Sequence, residues 1–183
     1  MLTHSQILKA VSKKEIVIEP FEIGNIGENS YDVHLGKWLA VYKDEILDAK
    51  KNNELEYIEI PEEGIILKPN QFYLGVTKEY TETWNAVPCL DGLSSTGRLG
   101  LDIHSTACFG DVGFCGRWTL EISCRKEVRV YKNMPIGEIV YFPISGEIDL
   151  KKLKEKSMYG NTIDNERPIG SMLWKKKFFN GDE

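Results

Sequence analysis

Arg117-Trp118-Thr119-Leu120-Glu121-Ile122-Ser123-Cys124 alternates apolar and polar residues without a slip. Successive side chains of a β-strand leave opposite faces, so Trp118, Leu120, Ile122 and Cys124 form one face and Arg117, Thr119, Glu121 and Ser123 the other. A carboxylate therefore stands mid-strand on a polar face, with hydroxyls beside it. An ordinary solvent-facing strand meets this pattern as well as a reactive one does. Outward from it, Trp38–Tyr42, Tyr57–Ile60, Ile65–Leu67, Phe72–Thr77 and Ile136–Phe142 are short and rich in β-branched and aromatic residues. Gly, Pro, Asn and Asp separate them about every ten residues, which predicts an all-β sandwich or distorted barrel and not βαβ units. The exception is the N-terminus, where Thr3-x-x-Gln6 has the capping-box pattern and Ile7, Leu8 and Val11 follow at helical spacing up to Lys13-Lys14. One short helix is expected there.

The 183 residues, 42% of them apolar, suffice for one domain with a core of its own, so residues 1–183 are read as a single unit. A net charge of −5 argues against broad binding to nucleic acid or to a membrane surface, since both need clustered positive charge. No apolar run reaches the about 18 residues of a membrane span, and Met1-Leu2-Thr3-His4-Ser5-Gln6 lacks the basic-then-apolar form of a secretory signal. A cytoplasmic protein is expected. Cys89, Cys108, Cys115 and Cys124 lie in or beside strand-like sequence with no Cys-x-x-Cys pair, and His4, His34 and His104 are scattered. Structural thiols are expected over a zinc site or disulfides. The charged stretch Lys43–Glu56 reads as a solvated loop or hairpin tip. Lys151–Lys156 reads as a short surface helix, and about 157–183 as a mobile C-terminal tail.

The residues between Leu93 and Glu121 carry the chemistry. Ser94-Ser95-Thr96-Gly97-Arg98 offers three hydroxyls, backbone amides, a flexible glycine and a fixed positive charge, a set that suits phosphate oxygens and is also common turn chemistry. Arg98 precedes the apolar Leu99-Gly100-Leu101, where partial burial and a carboxylate or ligand partner are expected. A structural ion pair answers that need equally.

Leu93-Ser-Ser-Thr-Gly-Arg-Leu-Gly-Leu101, His104-x-Thr-Ala107, Asp111-x-Gly-Phe-x-Gly116 and Thr119-Leu-Glu121 together resemble the core of the dCTP deaminase family, within the dUTPase-like superfamily. The likeness extends to Ser30-Tyr-Asp-Val-x-Leu-Gly36, Leu67-x-Pro69, Leu74-Gly-x-Thr-x-Glu79 and Met134-x-Ile-Gly137, covering most of Ser30–Ser145. The resemblance implies a homotrimer of distorted β-barrels whose active sites lie between subunits. It implies deamination of dCTP to dUTP, with Glu121 activating the water that attacks C4 and relaying its proton toward departing ammonia. Ser94 and Arg98 would support that centre, and Ser95, Thr106, Ala107, Thr119, Phe114 and Tyr159 would line the substrate. Mg²⁺ would ride on the triphosphate, with no metal site on the protein. Zinc-dependent cytosine deaminases need His-x-Glu and Pro-Cys-x-x-Cys, whereas Pro88-Cys89 here runs into Leu90-Asp91-Gly92, so zinc is not expected.

Asp111 opens the second reading, because the matching aspartate in dUTPases activates a water against the α-phosphate. A bifunctional enzyme giving dUMP and pyrophosphate, or a dUTPase alone, fits the same residues. Two departures bear on this. Leu93 stands where the family has arginine, and losing one charge-assisted contact costs about 1.5–3 kcal/mol unless Lys154, Lys156 or Arg167 replaces it. Val112 stands where the family has proline. Cys108 and Phe109 also differ from the usual residues, which bears on base selection and on inhibition by dTTP. A nucleotide-binding regulator without catalysis is the third reading, motivated by Leu93.

Overall fold

The computed structural model describes residues 1–149, 159 and 166–176, and its architecture is a strand-rich barrel. A helix α1, His4–Ser12, is followed by strands β1 Ile16–Glu19, β2 Ser30–Tyr42, β3 Leu55–Glu59, β4 Ile65–Leu67, β5 Tyr73–Thr83 and β6 Ala86–Gly92. A five-residue helix α2, Ser94–Arg98, precedes β7 Leu101–Asp102, β8 Cys115–Cys124, β9 Val128–Val130 and β10 Pro135–Pro143. The N-terminal helix starts as the Thr3/Gln6 pair requires, with the Thr3 N–H donating to Gln6 Oε1 at 3.0 Å. It buries Ile7 and Ala10 against the barrel. No helix among the described residues is long and apolar enough to cross a membrane.

Among the described residues, one sheet runs β6-β10-β2-β5-β8-β7, with β1 paired to β5 and β3 to β2, and β4 pairs with β9 apart from it. The chain leaving β7 nearly closes this sheet. Ile103 accepts from the Glu121 N–H at 2.8 Å on β8, and farther along the Leu90 N–H of β6 donates to Cys108 O at 2.8 Å. The Gly110 N–H then donates to Pro88 O, also at 2.8 Å. Residues 103–110 therefore bridge the two ends of the sheet. Gly110 is needed for the approach, since a Cβ there would lie 2.4 Å from the Trp118 ring.

The alternation read at 117–124 is the burial pattern of β8: Trp118, Leu120, Ile122 and Cys124 are buried, and Arg117, Thr119, Glu121 and Ser123 are only half-buried. The inner face joins a core that includes Tyr31, Leu35, Leu39, Ile136, Ile139 and Tyr141. Removing such side chains from water is the main term holding the barrel together, worth about 1.5–3 kcal/mol for each large one. The strands run beyond their sequence-predicted segments, and the added part of β2 places Tyr31, Val33 and Leu35 in the core. Ser30–Gly36 extends β2, and Lys78–Thr83 extends β5. Residues 43–54 contain no strand, and Asn53 closes their turn by accepting from the Asp48 N–H at 2.9 Å and donating to Asp48 O at 3.0 Å. The four cysteines, all among the described residues, form no disulfide.

Lys151–Lys156, predicted as a short helix, lies outside the described residues. Of the stretch predicted as a tail, residues 166–176 run along the barrel as a strap. Ile169 N–H donates to Thr119 Oγ1 at 3.1 Å, Ser171 N–H to the Tyr42 hydroxyl at 2.9 Å and the Tyr57 hydroxyl to Pro168 O at 3.4 Å. Arg167 lies over the Trp38 and Tyr57 rings, 4.4 and 5.1 Å from their centroids.

Candidate active site

Glu121 projects from the middle of β8 on the face left polar by the alternation. Its backbone is fixed on both sides, by the pairing with Leu74 of β5 and by the bond to Ile103. Its carboxylate is oriented by one backbone donor, the Ser105 N–H, 2.7 Å from Oε2. That bond ties the side chain to the loop carrying Thr106 and Ala107, both exposed. A carboxylate so held, with its other oxygen free of protein donors among the described residues, can accept and return a proton at a ring placed over this loop. Ser105 was not legible as a contributor, because its backbone amide does the work and amides leave no sequence signal.

The neighbouring acid is placed differently. Asp111 opens the turn between the loop and β8, its carbonyl accepting the Phe114 N–H at 3.0 Å while the residue itself is exposed. Phe114 turns inward, its ring 4.8 Å from that of Trp118, and packs against the core. A core role therefore accounts for it within the protomer. Thr119 shares the face of Glu121 and is met by the strap at Ile169. Tyr159 accepts the Met172 N–H at 2.9 Å, so its hydroxyl engages the strap.

The cluster Ser94–Arg98 departs from its reading in two ways. Thr96 is buried, and its hydroxyl donates to Leu93 O at 2.7 Å, which leaves Ser94 and Ser95 as the exposed hydroxyls. The short helical turn swings Thr96 beneath β10 and accounts for the loss. Arg98, expected to be partly buried, is exposed, because the turn carries it outward while Leu101 takes the buried position. Among the described residues no carboxylate pairs with Arg98, and no hydrogen bond joins Ser94 or Arg98 to Glu121 within one protomer. His104, by contrast, meets Asp91 Oδ1 at 3.1 Å. The described residues contain no group of three or more His, Cys, Asp or Glu side chains placed to hold a metal ion.

Two thiols lie beside the loop. Burial and then the Cys108 thiol push the Cys89 thiol up to about 12, so it stays protonated at neutral pH.

Strand order and the bridging loop define a nearly closed all-β barrel. The solved structure of 2′-deoxycytidine 5′-triphosphate deaminase from Agrobacterium tumefaciens shares this fold, with a TM-score of 0.63 at 17% identity over 84% of this chain and 52% of that one. A family model described as dCTP deaminase-like matches residues 1–144, and the chain belongs to that family. A relative from Clostridium botulinum strain Eklund 17B, named dCTP deaminase, dUMP-forming, is 52% identical over 150 residues, 82% of this chain and 86% of its own. One of the same name from Clostridium acetobutylicum is 46% identical over 175 residues, 96% of this chain and 98% of its own.

Proposed function

We propose that this protein is a dCTP deaminase that carries its product on to dUMP. The coarse activity follows the family, and the finer one corrects the leading sequence reading of dUTP as final product. What supports it is the name shared by relatives near 50% identity, together with one observation in this chain: Glu121 and Asp111 lie on one loop-and-strand unit, and both carboxylates are without a cation partner among the described residues. Such acids are available to reacting groups, not consumed by structural ion pairs.

In the first step Glu121 takes a proton from water as the oxygen attacks C4 of cytosine. It returns protons toward the 4-amino group, which leaves as ammonia, and C4 becomes the carbonyl of uracil. The Ser105 amide keeps the carboxylate aimed while it passes between its two protonation states. In the second step Asp111 activates another water against the α-phosphorus, and pyrophosphate leaves. The sum is dCTP plus two waters giving dUMP, pyrophosphate and ammonia. In this reading magnesium rides on the phosphates of the nucleotide, whose charge it neutralises when bound. Ser94, Ser95 and Arg98 act from a neighbouring subunit. The support for this is that Arg98 pairs with no acid among the described residues of its own protomer and that Leu99, next to it, is 55% exposed.

The test is product separation from dCTP. Wild type gives ammonia, pyrophosphate and dUMP. Glu121→Gln keeps shape but loses the proton acceptor, so ammonia release falls about 10³-fold or more. Asp111→Asn keeps ammonia release and accumulates dUTP. Wild-type protein that stops at dUTP overturns the second step, and full turnover by Glu121→Gln overturns the first.

A further inference from the structure

Two irregularities in the sheet fall side by side. The β2–β5 ladder loses register between Leu35 and Leu39, and the β5–β8 ladder between Val76 and Tyr80. Gly36 sits at the constriction, where a Cβ would meet Val76 O at 2.9 Å. Beside it the surface opens into a recess of about 150 Å³ lined by Gly36, Lys37, Lys78, Arg117, Asn133 and Glu166. In a chain of net charge −5, three cations converge on this one recess. The anion facing them comes from the strap: Glu166 Oε2 lies 2.6 Å from Lys37 Nζ. The Lys37 ammonium, and after it the Arg117 guanidinium, hold that carboxyl below its usual range. Lys78 leans the other way, 3.6 Å from Glu22.

We propose that this recess is a phosphate-group subsite, and that Glu166 occupies it as an internal stand-in until a phosphate arrives. Converging cations repel one another unless an anion joins them, and the forked guanidinium of Arg117 with two ammonium groups suits the several oxygens of a phosphate better than it suits one carboxylate. Arg117 shares the face of Glu121 and lies four residues along the same strand, about 13 Å away. That is comparable with the reach of an extended nucleoside triphosphate from its ring, so the recess replaces the charge missing at Leu93. Expelling Glu166 also loosens the strap, whose Ile169 covers Thr119. The substrate part of this inference rests on the proposed function, whereas the phosphate part does not.

The full chain is titrated with inorganic tripolyphosphate, read by calorimetry and by tryptophan fluorescence, because Trp38 lies under Arg167 of the strap. Arg117→Gln and Lys37→Gln each weaken binding about tenfold, the size of one charged hydrogen bond, and Lys37→Arg restores it. Glu166→Gln removes the competitor and tightens binding several-fold. Circular dichroism confirms that each variant is folded. Wild-type affinity in Arg117→Gln and Lys37→Gln, or weaker binding in Glu166→Gln, overturns the subsite. The source of the phosphate is read from dCTP kinetics. A tenfold higher KM at unchanged kcat in Arg117→Gln assigns it to the substrate. An unchanged KM beside lost tripolyphosphate affinity supports a pocket for free polyphosphate and overturns its place in substrate binding. Absence of deamination in wild type leaves the titration standing, so the two readings fail separately.

Discussion

A single backbone amide decides what Glu121 can do. On an open strand face a carboxylate rotates freely among water partners, whereas the Ser105 N–H at 2.7 Å selects one orientation and leaves the second oxygen for chemistry. At the same loop two thiols contrast, Cys108 on the loop and Cys89 beside it on β6. Cys89 is buried and its thiol is pushed up to about 12, while Cys108 is half-buried. Thiolate is the reactive form, so at pH 8 iodoacetamide labels Cys108 well ahead of Cys89. Mass-spectrometric mapping of the adducts checks this, and equal labelling contradicts the burial argument. The sign is that of a raised acid: the preference of the fold for a protonated Cys89 is fully present below the ordinary thiol range and is lost as pH rises through about 12.

At the scale of elements, β10 sets a carboxylate row that no alternation rule requires. Glu138 lies opposite Asp32 of β2 on one side and Asp91 of β6 on the other. Burial, and then Glu138, raise the Asp32 carboxyl, with His34 pulling the other way. His34 is itself held by the buried Glu79, 2.7 Å from Nδ1. The native state thus binds a proton at Asp32 more readily than the unfolded chain does. This stabilising preference exists below the ordinary carboxylate range and disappears as pH rises through the raised value. Asp32→Asn removes the like-charge pair and is expected to stabilise the protein at pH 7 by about 0.5 kcal/mol. The melting temperature then rises by about 1–2 °C. The gain shrinks toward zero near pH 3, and scanning calorimetry across this range checks both limbs. A constant difference at all pH values contradicts the assignment.

For the whole molecule, the question is what completes the site. The proposed trimer with shared sites would join Ser94 and Arg98 of one subunit to Glu121 of another and would cover Leu99 and Phe109, which are 55% and 66% exposed in the single protomer. Leu99→Glu places a charge in that contact without touching the core. The expected outcome is a folded monomer in sedimentation velocity that releases about 10²-fold less ammonia or worse, because positioned groups are lost from the site. A Leu99→Glu protein that sediments as wild type, with full activity, contradicts the shared site.

Much of this protein was legible in its residues alone. Strict alternation at 117–124 determined which side of β8 is core, because the two-residue period of a strand is a local property of the backbone. The hydroxyl, arginine and carboxylate motifs identified the family, since side-chain chemistry and spacing are written directly in sequence. The fates of Thr96, Phe114 and Arg98 were not legible, for each depends on which neighbour the folded chain brings near: Leu93 O, the Trp118 ring, or solvent. Arg117 was placed on the polar face by alternation. Its convergence with Lys37 and Lys78 came only from two register breaks in ladders that join residues some 40 positions apart. The Ser105 amide, the bridge formed by residues 103–110 and the strap were likewise decided by tertiary structure, because backbone hydrogen bonds between distant segments have no residue-type signature.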